Sequence, residues 1–147
     1  MDISFHNEDI SLRLPQIRLT RKWIRSIAYK FNKEIGFVNF IFCSDNYLLD
    51  INRTYLHHNY YTDIITFPYK DEPLESDIYI SIDRVRDNAR NFNVSFDTEL
   101  RRVMAHGILH LCGFSDNSEK AQELMSEEED LALESWAKQL KEKKGDN

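Results

Sequence analysis

Apolar and polar positions along this chain alternate between a period of two and a period of 3.6, and the switches mark out strands and helices. Residues 2–9 read as a first strand. Thr20 is placed to cap a helix running to about Asn32. At 100° per residue, Trp23, Ile24, Ile27, Ala28 and Phe31 of that helix fall within about 140° of arc. Arg21, Lys22, Arg25, Tyr29 and Lys33 share the other side, so the helix has a core face and a basic face. GFVNFIFC, residues 36–43, is a buried strand, and Ser44 or Asp45 caps a helix through about Tyr55. The loop HHNYYT leads to the strand DIITFPY, which Pro68 ends or places near a sheet edge. DIYISID alternates as another strand, residues 82–92 return to helix, and Ser95 or Asp97 starts the next helix. Asn117 or Ser118 caps a long acidic helix after it. Strands and helices mix without strict βαβ alternation. The pattern predicts an α+β fold: a small mixed sheet of about four strands packed with about five helices, one of them central and buried. No repeat, low-complexity tract or linker interrupts the 147 residues, so residues 1–147 are expected to form one domain.

Composition narrows the class without changing that reading. The chain is 41% hydrophobic and 30% charged, ordinary for a globular protein, and no run approaches the roughly 18 apolar residues of a membrane helix. The N-terminal MDISFHNEDI has neither the basic nor the apolar region of a secretory signal. Cys43 and Cys112 form no CxxC and read as reduced thiols of a cytoplasmic protein. A net charge of −6 speaks against a general nucleic-acid binder, but the charge is sorted. Residues 11–33 hold seven basic side chains and no acid, whereas residues 118–147 hold nine acids and five bases.

The candidate chemistry lies in HGILHLCGFSDN, residues 106–117. Wound as a helix, Leu100, Met104, Gly107, Ile108 and Leu111 cluster on one side, and Glu99, His106 and His110 share another. An i, i+4 pair of imidazoles stacks one turn apart and can converge on one ion; the same spacing also suits two core histidines satisfied by backbone or carboxylate. The residues that follow favour the ion. Gly113 permits the left-handed turn that ends a helix, after which Asp116 can swing back beside His110. Two imidazoles and a carboxylate make a three-ligand site with a position left for water or substrate, and zinc is the expected metal. A zinc protease would carry its general base, a glutamate, straight after the first histidine; this chain has Gly107 there.

At these residues the chain resembles the YbeY family of bacterial metal-dependent endoribonucleases, also called rRNA maturation factors. The family signature HGxLHLxGxDH is matched closely by HGILHLCGF, residues 106–114. INRTYLHHNYYTDIITFPY resembles the family's Asn-x-x-Tyr…Thr-Asp…Phe-Pro block, SDIYIS its Gly-Asp-Ile-x-Ile segment, and Glu99-Leu100 its Glu-Leu lead into the metal helix. Asp63 and Asp77 fall on family positions, and each also suits a plain strand-end or turn acid. Two positions depart from the pattern. Asp116 stands where the third ligand is usually histidine, which keeps a ligand but adds negative charge and weakens the ion as a Lewis acid. Leu56 stands where the family usually has an arginine for the RNA phosphate.

The resemblance implies an α+β fold with one zinc per chain and hydrolysis of single-stranded RNA. The implied roles are 3′-end maturation of small-subunit (16S) rRNA and ribosome quality control in the cytoplasm. Partners would be rRNA, the small ribosomal subunit and assembly factors, with no membrane and no DNA. In this reading His106, His110 and Asp116 hold the zinc, and His57 or His58 assists with charge or proton transfer. Glu99, two turns before His106, is placed as a structural or supporting acid rather than the base. RNA would lie along Arg18, Arg21, Lys22, Arg25 and Lys33, with Tyr29, Tyr60 or Tyr61 stacking on bases. The rivals are a ribosome-assembly factor with a purely structural zinc, which the missing arginine favours, and a metallopeptidase, which Gly107 disfavours.

Overall fold

The computed structural model describes residues 2–145. Its elements run β1 (Ile3–Asn7), α1 (Ile17–Lys30), β2 (Ile35–Cys43), α2 (Asp45–Leu56), β3 (Ile64–Asp71), β4 (Leu74–Ser81), α3 (Ile82–Phe92), α4 (Phe96–Leu111) and α5 (Glu119–Gly145). This is the α+β arrangement that the periodicity predicts: four strands in one mixed sheet and five helices.

The sheet order is β1-β2-β4-β3. β1 and β4 both run parallel to β2, whereas β3 and β4 pair as an antiparallel hairpin. Pro68 lies inside β3, an edge strand, where a residue with no N–H to donate is tolerated. Alternation along each strand sorts the two faces. Ile3, Val38, Phe40, Ile78 and Ile80 enter the main core with α1, α4 and α5. Cys43 and Ile65 point the other way and pack with Leu48 of α2.

α4 is the most buried helix. Ten of its sixteen residues are buried, and it packs on α1, α3, α5, β3 and β4. Ser95 caps it, accepting the Thr98 N–H at 3.1 Å. Gly107 faces the sheet: a Cβ built there would lie 3.0 Å from Ile64 Cδ1 and 3.3 Å from Ile78 Cδ1. The glycine is therefore what lets helix and sheet close on each other. A glutamate at that position would enter the core rather than the pocket described below, so the peptidase reading loses its base on steric grounds.

α1 starts three residues earlier than its expected cap. Gln16 is the N-cap, with φ 59° and no capping side-chain bond. Thr20 instead lies inside the helix and buried, donating to Gln16 O at 2.8 Å and accepting from Arg101 Nη1 at 3.0 Å. Arg101 is itself only 1% exposed, with its guanidinium 3.5 Å from the ring centroid of Trp136. Trp23 meets Trp136 edge-on at 5.6 Å and donates from Nε1 to Ala132 O at 2.8 Å. This aromatic and guanidinium cluster seats α5 on α1 and α4.

Candidate functional site

α4 ends as its glycine suggests. Gly113 takes φ 104°, its N–H donates to His110 O at 3.0 Å, and the Phe114 N–H reaches Leu109 O at 3.1 Å. Phe114 then anchors against Phe31, with centroids 5.0 Å apart. The chain turns back and brings Asp116 into the lining of a pocket of about 640 Å³. His106 and Glu99 of α4 line the same pocket, with Asp63 at the start of β3, Asn88 of α3 and Glu129 of α5. Arg102 completes the charged lining, so four carboxylates face one guanidinium and one imidazole.

His106 is half-buried, and its Nδ1 lies 2.8 Å from Glu129 Oε2. The other Glu129 oxygen accepts from Arg102 Nη1 at 3.3 Å. The Glu129 hydrogen bond pushes the imidazole pKa above its ordinary value; burial opposes this, and the charges of Glu129, Asp63 and Asp116 add to it. Burial raises Asp63, with the His106 charge pulling back and Glu129 adding. Burial likewise raises Glu99, against the pull of Arg102. Glu99 is 3% exposed, and its Oε1 has no hydrogen-bond partner among the described residues.

Of the expected ligands, His106 and Asp116 meet at this pocket. His110 is exposed and does not line it, although it sits one turn along the same helix. Among the described residues, no three His, Cys, Asp or Glu side chains stand together as a finished metal site. The donors nonetheless suit zinc in kind, imidazole and carboxylate, and Nδ1 of His106 is already engaged by a carboxylate, as is usual for a histidine that ligates through its other nitrogen.

His57 and His58 do not line the pocket. His57 ends α2 in the left-handed region, φ 56°, on an exposed loop. His58 stacks on Tyr60 at 5.3 Å with its Nδ1 3.1 Å from the Tyr60 hydroxyl. Tyr61 lies under the Arg84 guanidinium at 5.5 Å.

The basic face of α1 is largely occupied by the protein itself. Arg25 makes two bonds to Asp2, at 2.6 and 3.0 Å, Lys30 pairs with Glu128 at 2.6 Å and Lys33 with Glu72 at 3.4 Å. Arg21 donates to Ile3 O at 2.8 Å and sits over the Phe5 ring. Arg18 and Lys22 remain exposed, and none of the five lines the His106 pocket. The expected RNA track is therefore separate from the pocket and partly neutralised.

Asp63, Arg102 and Glu129 are the charged pocket residues that sequence reasoning gave no part in the chemistry. Asp63 read as a strand-end acid. Glu129 sits in an acidic run, but it shares a helical stripe with the buried Met125, Ala132 and Trp136, and that phase was the available signal. Asp77 lies apart from the pocket, bonded by Asn39 Nδ2 at 2.9 Å and the Tyr69 hydroxyl at 2.8 Å.

The family model described as Endoribonuclease YbeY matches residues 2–137. A protein named Endoribonuclease YbeY from Bacteroides thetaiotaomicron is 43% identical over 134 residues, covering 90% of this chain and 98% of that relative. The one from Flavobacterium psychrophilum is 46% identical over 132 residues, 89% of this chain and 94% of the relative. Among solved structures, the solution structure of TM1509 from Thermotoga maritima superposes with a TM-score of 0.66 at 26% identity, covering 99% of this chain and 95% of that one.

Proposed function

The chain belongs to the endoribonuclease YbeY family, and from that premise we propose that it is a zinc-dependent, single-strand-specific endoribonuclease. We assign it to 3′-end maturation of small-subunit (16S) rRNA and to ribosome quality control in the cytoplasm. Single-stranded rRNA is its substrate, and the small ribosomal subunit and assembly factors are its partners.

One observation carries the metal part of this reading: the pocket around His106 is lined by four carboxylates. An RNA phosphodiester is an anion, and that lining repels it unless a cation intervenes. We assign the cation as one zinc ion per chain, held by His106, His110 and Asp116. Bound there, the ion would act as a Lewis acid on a phosphoryl oxygen. Arg102 supplies the protein's own positive charge, and Asp63 and Glu99 line the same pocket. Arg18 and Lys22, exposed on α1 and without ion pairs among the described residues, supply phosphate contacts at longer range. His57 and His58 meet the incoming strand from the exposed loop.

A second reading keeps the zinc but removes the catalysis, and Leu56 favours it, since this chain has leucine where the family usually has an arginine. One experiment separates the two. Ribonuclease-free wild-type protein and His110→Ala are compared on single-stranded RNA, with and without chelator, alongside metal analysis of the untagged chain. The nuclease reading expects cleavage by the wild type only, lost on chelation, at one zinc per chain. Stoichiometric zinc with no cleavage establishes the assembly-factor reading, and absence of bound metal overturns both.

A further inference from the structure

Glu129 reaches the pocket only through tertiary structure. It belongs to α5, 23 residues beyond His106. Its neighbours Glu127 and Asp130 are exposed, whereas Glu129 is 8% exposed, and both its oxygens are engaged. Oε2 takes His106 Nδ1 at 2.8 Å and Oε1 takes Arg102 Nη1 at 3.3 Å. Arg102 is in turn tied to Asp130 at 3.2 Å, so α4 grips the carboxylate from two of its turns. A carboxylate oxygen accepts. The hydrogen therefore resides on Nδ1, and the lone pair is left on Nε2, which makes no hydrogen bond among the described residues.

We infer that Glu129 is the positioning residue of the site: it fixes His106 in the one tautomer and ring orientation that leaves Nε2 free as a ligand. The consequence for zinc rests on the reading above; the tautomer does not. A merely structural Glu129, pinning α5 to α4 by neutralising Arg102, would lower stability when removed but leave the imidazole's protons where they are.

The full chain, in metal-free and zinc-loaded forms with ¹⁵N-labelled histidines, tests this by NMR. The variants are Glu129→Leu, which removes the acceptor while filling the space, and Glu129→Gln, whose carbonyl oxygen still accepts. In metal-free wild type we expect His106 as a single Nδ1–H tautomer. Glu129→Gln keeps that tautomer with a weaker bond, seen as an upfield move of the Nδ1 proton, and Glu129→Leu shifts the ring towards Nε2–H. His110 serves as the internal reference. Competition against a chromophoric chelator should show zinc affinity falling about 10–100-fold in Glu129→Leu and less in Glu129→Gln. The inference is overturned if Glu129→Leu keeps the wild-type tautomer and zinc affinity and only its melting temperature falls. Should that variant not fold, Glu129→Gln decides alone, and an unmoved Nδ1 proton overturns the inference. A wild type that binds no zinc sinks the metal reading and leaves the tautomer to be judged by itself.

Discussion

Trp136 is the residue on which the seating of α5 depends, and its removal has a cost that the structure sets. The indole is 6% exposed, meets Trp23 edge-on at 5.6 Å and carries the Arg101 guanidinium at 3.5 Å from its centroid. A buried indole removes roughly 150–250 Å² from water, worth about 4–6 kcal/mol at ~25 cal/mol per Å² as an upper bound. The stacked cation adds about 1–2 kcal/mol because it is desolvated. Trp→Ala truncations cost about 3–5 kcal/mol in practice, since alanine keeps part of the burial and the site collapses somewhat. We therefore expect Trp136→Ala to lose about 4 kcal/mol by urea unfolding at unchanged m, with a melting temperature lower by about 8–16 °C. Trp136→Phe keeps a ring under the guanidinium and should lose only about 1–2 kcal/mol. A loss below about 1 kcal/mol in Trp136→Ala would refute the idea that this cluster holds α5.

Three further outcomes can be checked. Burial pushes the Cys43 thiol up to about 12 and the Cys112 thiol up to about 11, so neither should react with iodoacetamide at pH 8 until urea unfolds the chain; rapid native labelling would contradict the packing. The Arg25 hydrogen bond holds the Asp2 carboxyl below its usual range, so this pair stabilises the fold above the unfolded carboxylate's pKa and loses that contribution as pH falls through the lowered value. Wild type and Asp2→Asn should thus differ in stability at neutral pH and converge in acid below the lowered value, and a gap that widens in acid would show the sign to be wrong. Gly107→Val places three carbons against Ile64 and Ile78 and should cost about 1–3 kcal/mol in thermal or urea unfolding, whereas a neutral result would mean helix and sheet have more room than the 3.0 Å approach indicates.

Much of this fold was legible because it follows from periodicity. Residues 77–81 became strand as their alternation predicts, although Ile82 and Asp83 already belong to α3; Trp23, Ile24, Ile27 and Ala28 became the buried face of α1, with Phe31 just past its end. Where a cap failed, the reason is local: Gln16 starts α1 without a side-chain bond, so no cap residue marks the boundary, and Thr20 looks like a cap while serving Arg101. Charge was legible only as a count. That Arg25, Lys30 and Lys33 would be claimed by Asp2, Glu128 and Glu72 depends on contacts between distant segments, which no local pattern encodes. The turn at Gly113 and the return of Asp116 followed from the glycine; the outward placement of His110 did not, because the wheel gives a direction but not the depth of a neighbour.

The last described helix carries the carboxylate that steadies a histidine made far earlier, and this has a consequence for synthesis. As the chain leaves a translating ribosome, residues 96–111 emerge well before Glu129 and Trp136 do. A nascent or prematurely stopped product therefore carries both imidazoles without the partner that orients His106. His106 therefore gains its orienting partner only after the first turns of α5 have been made.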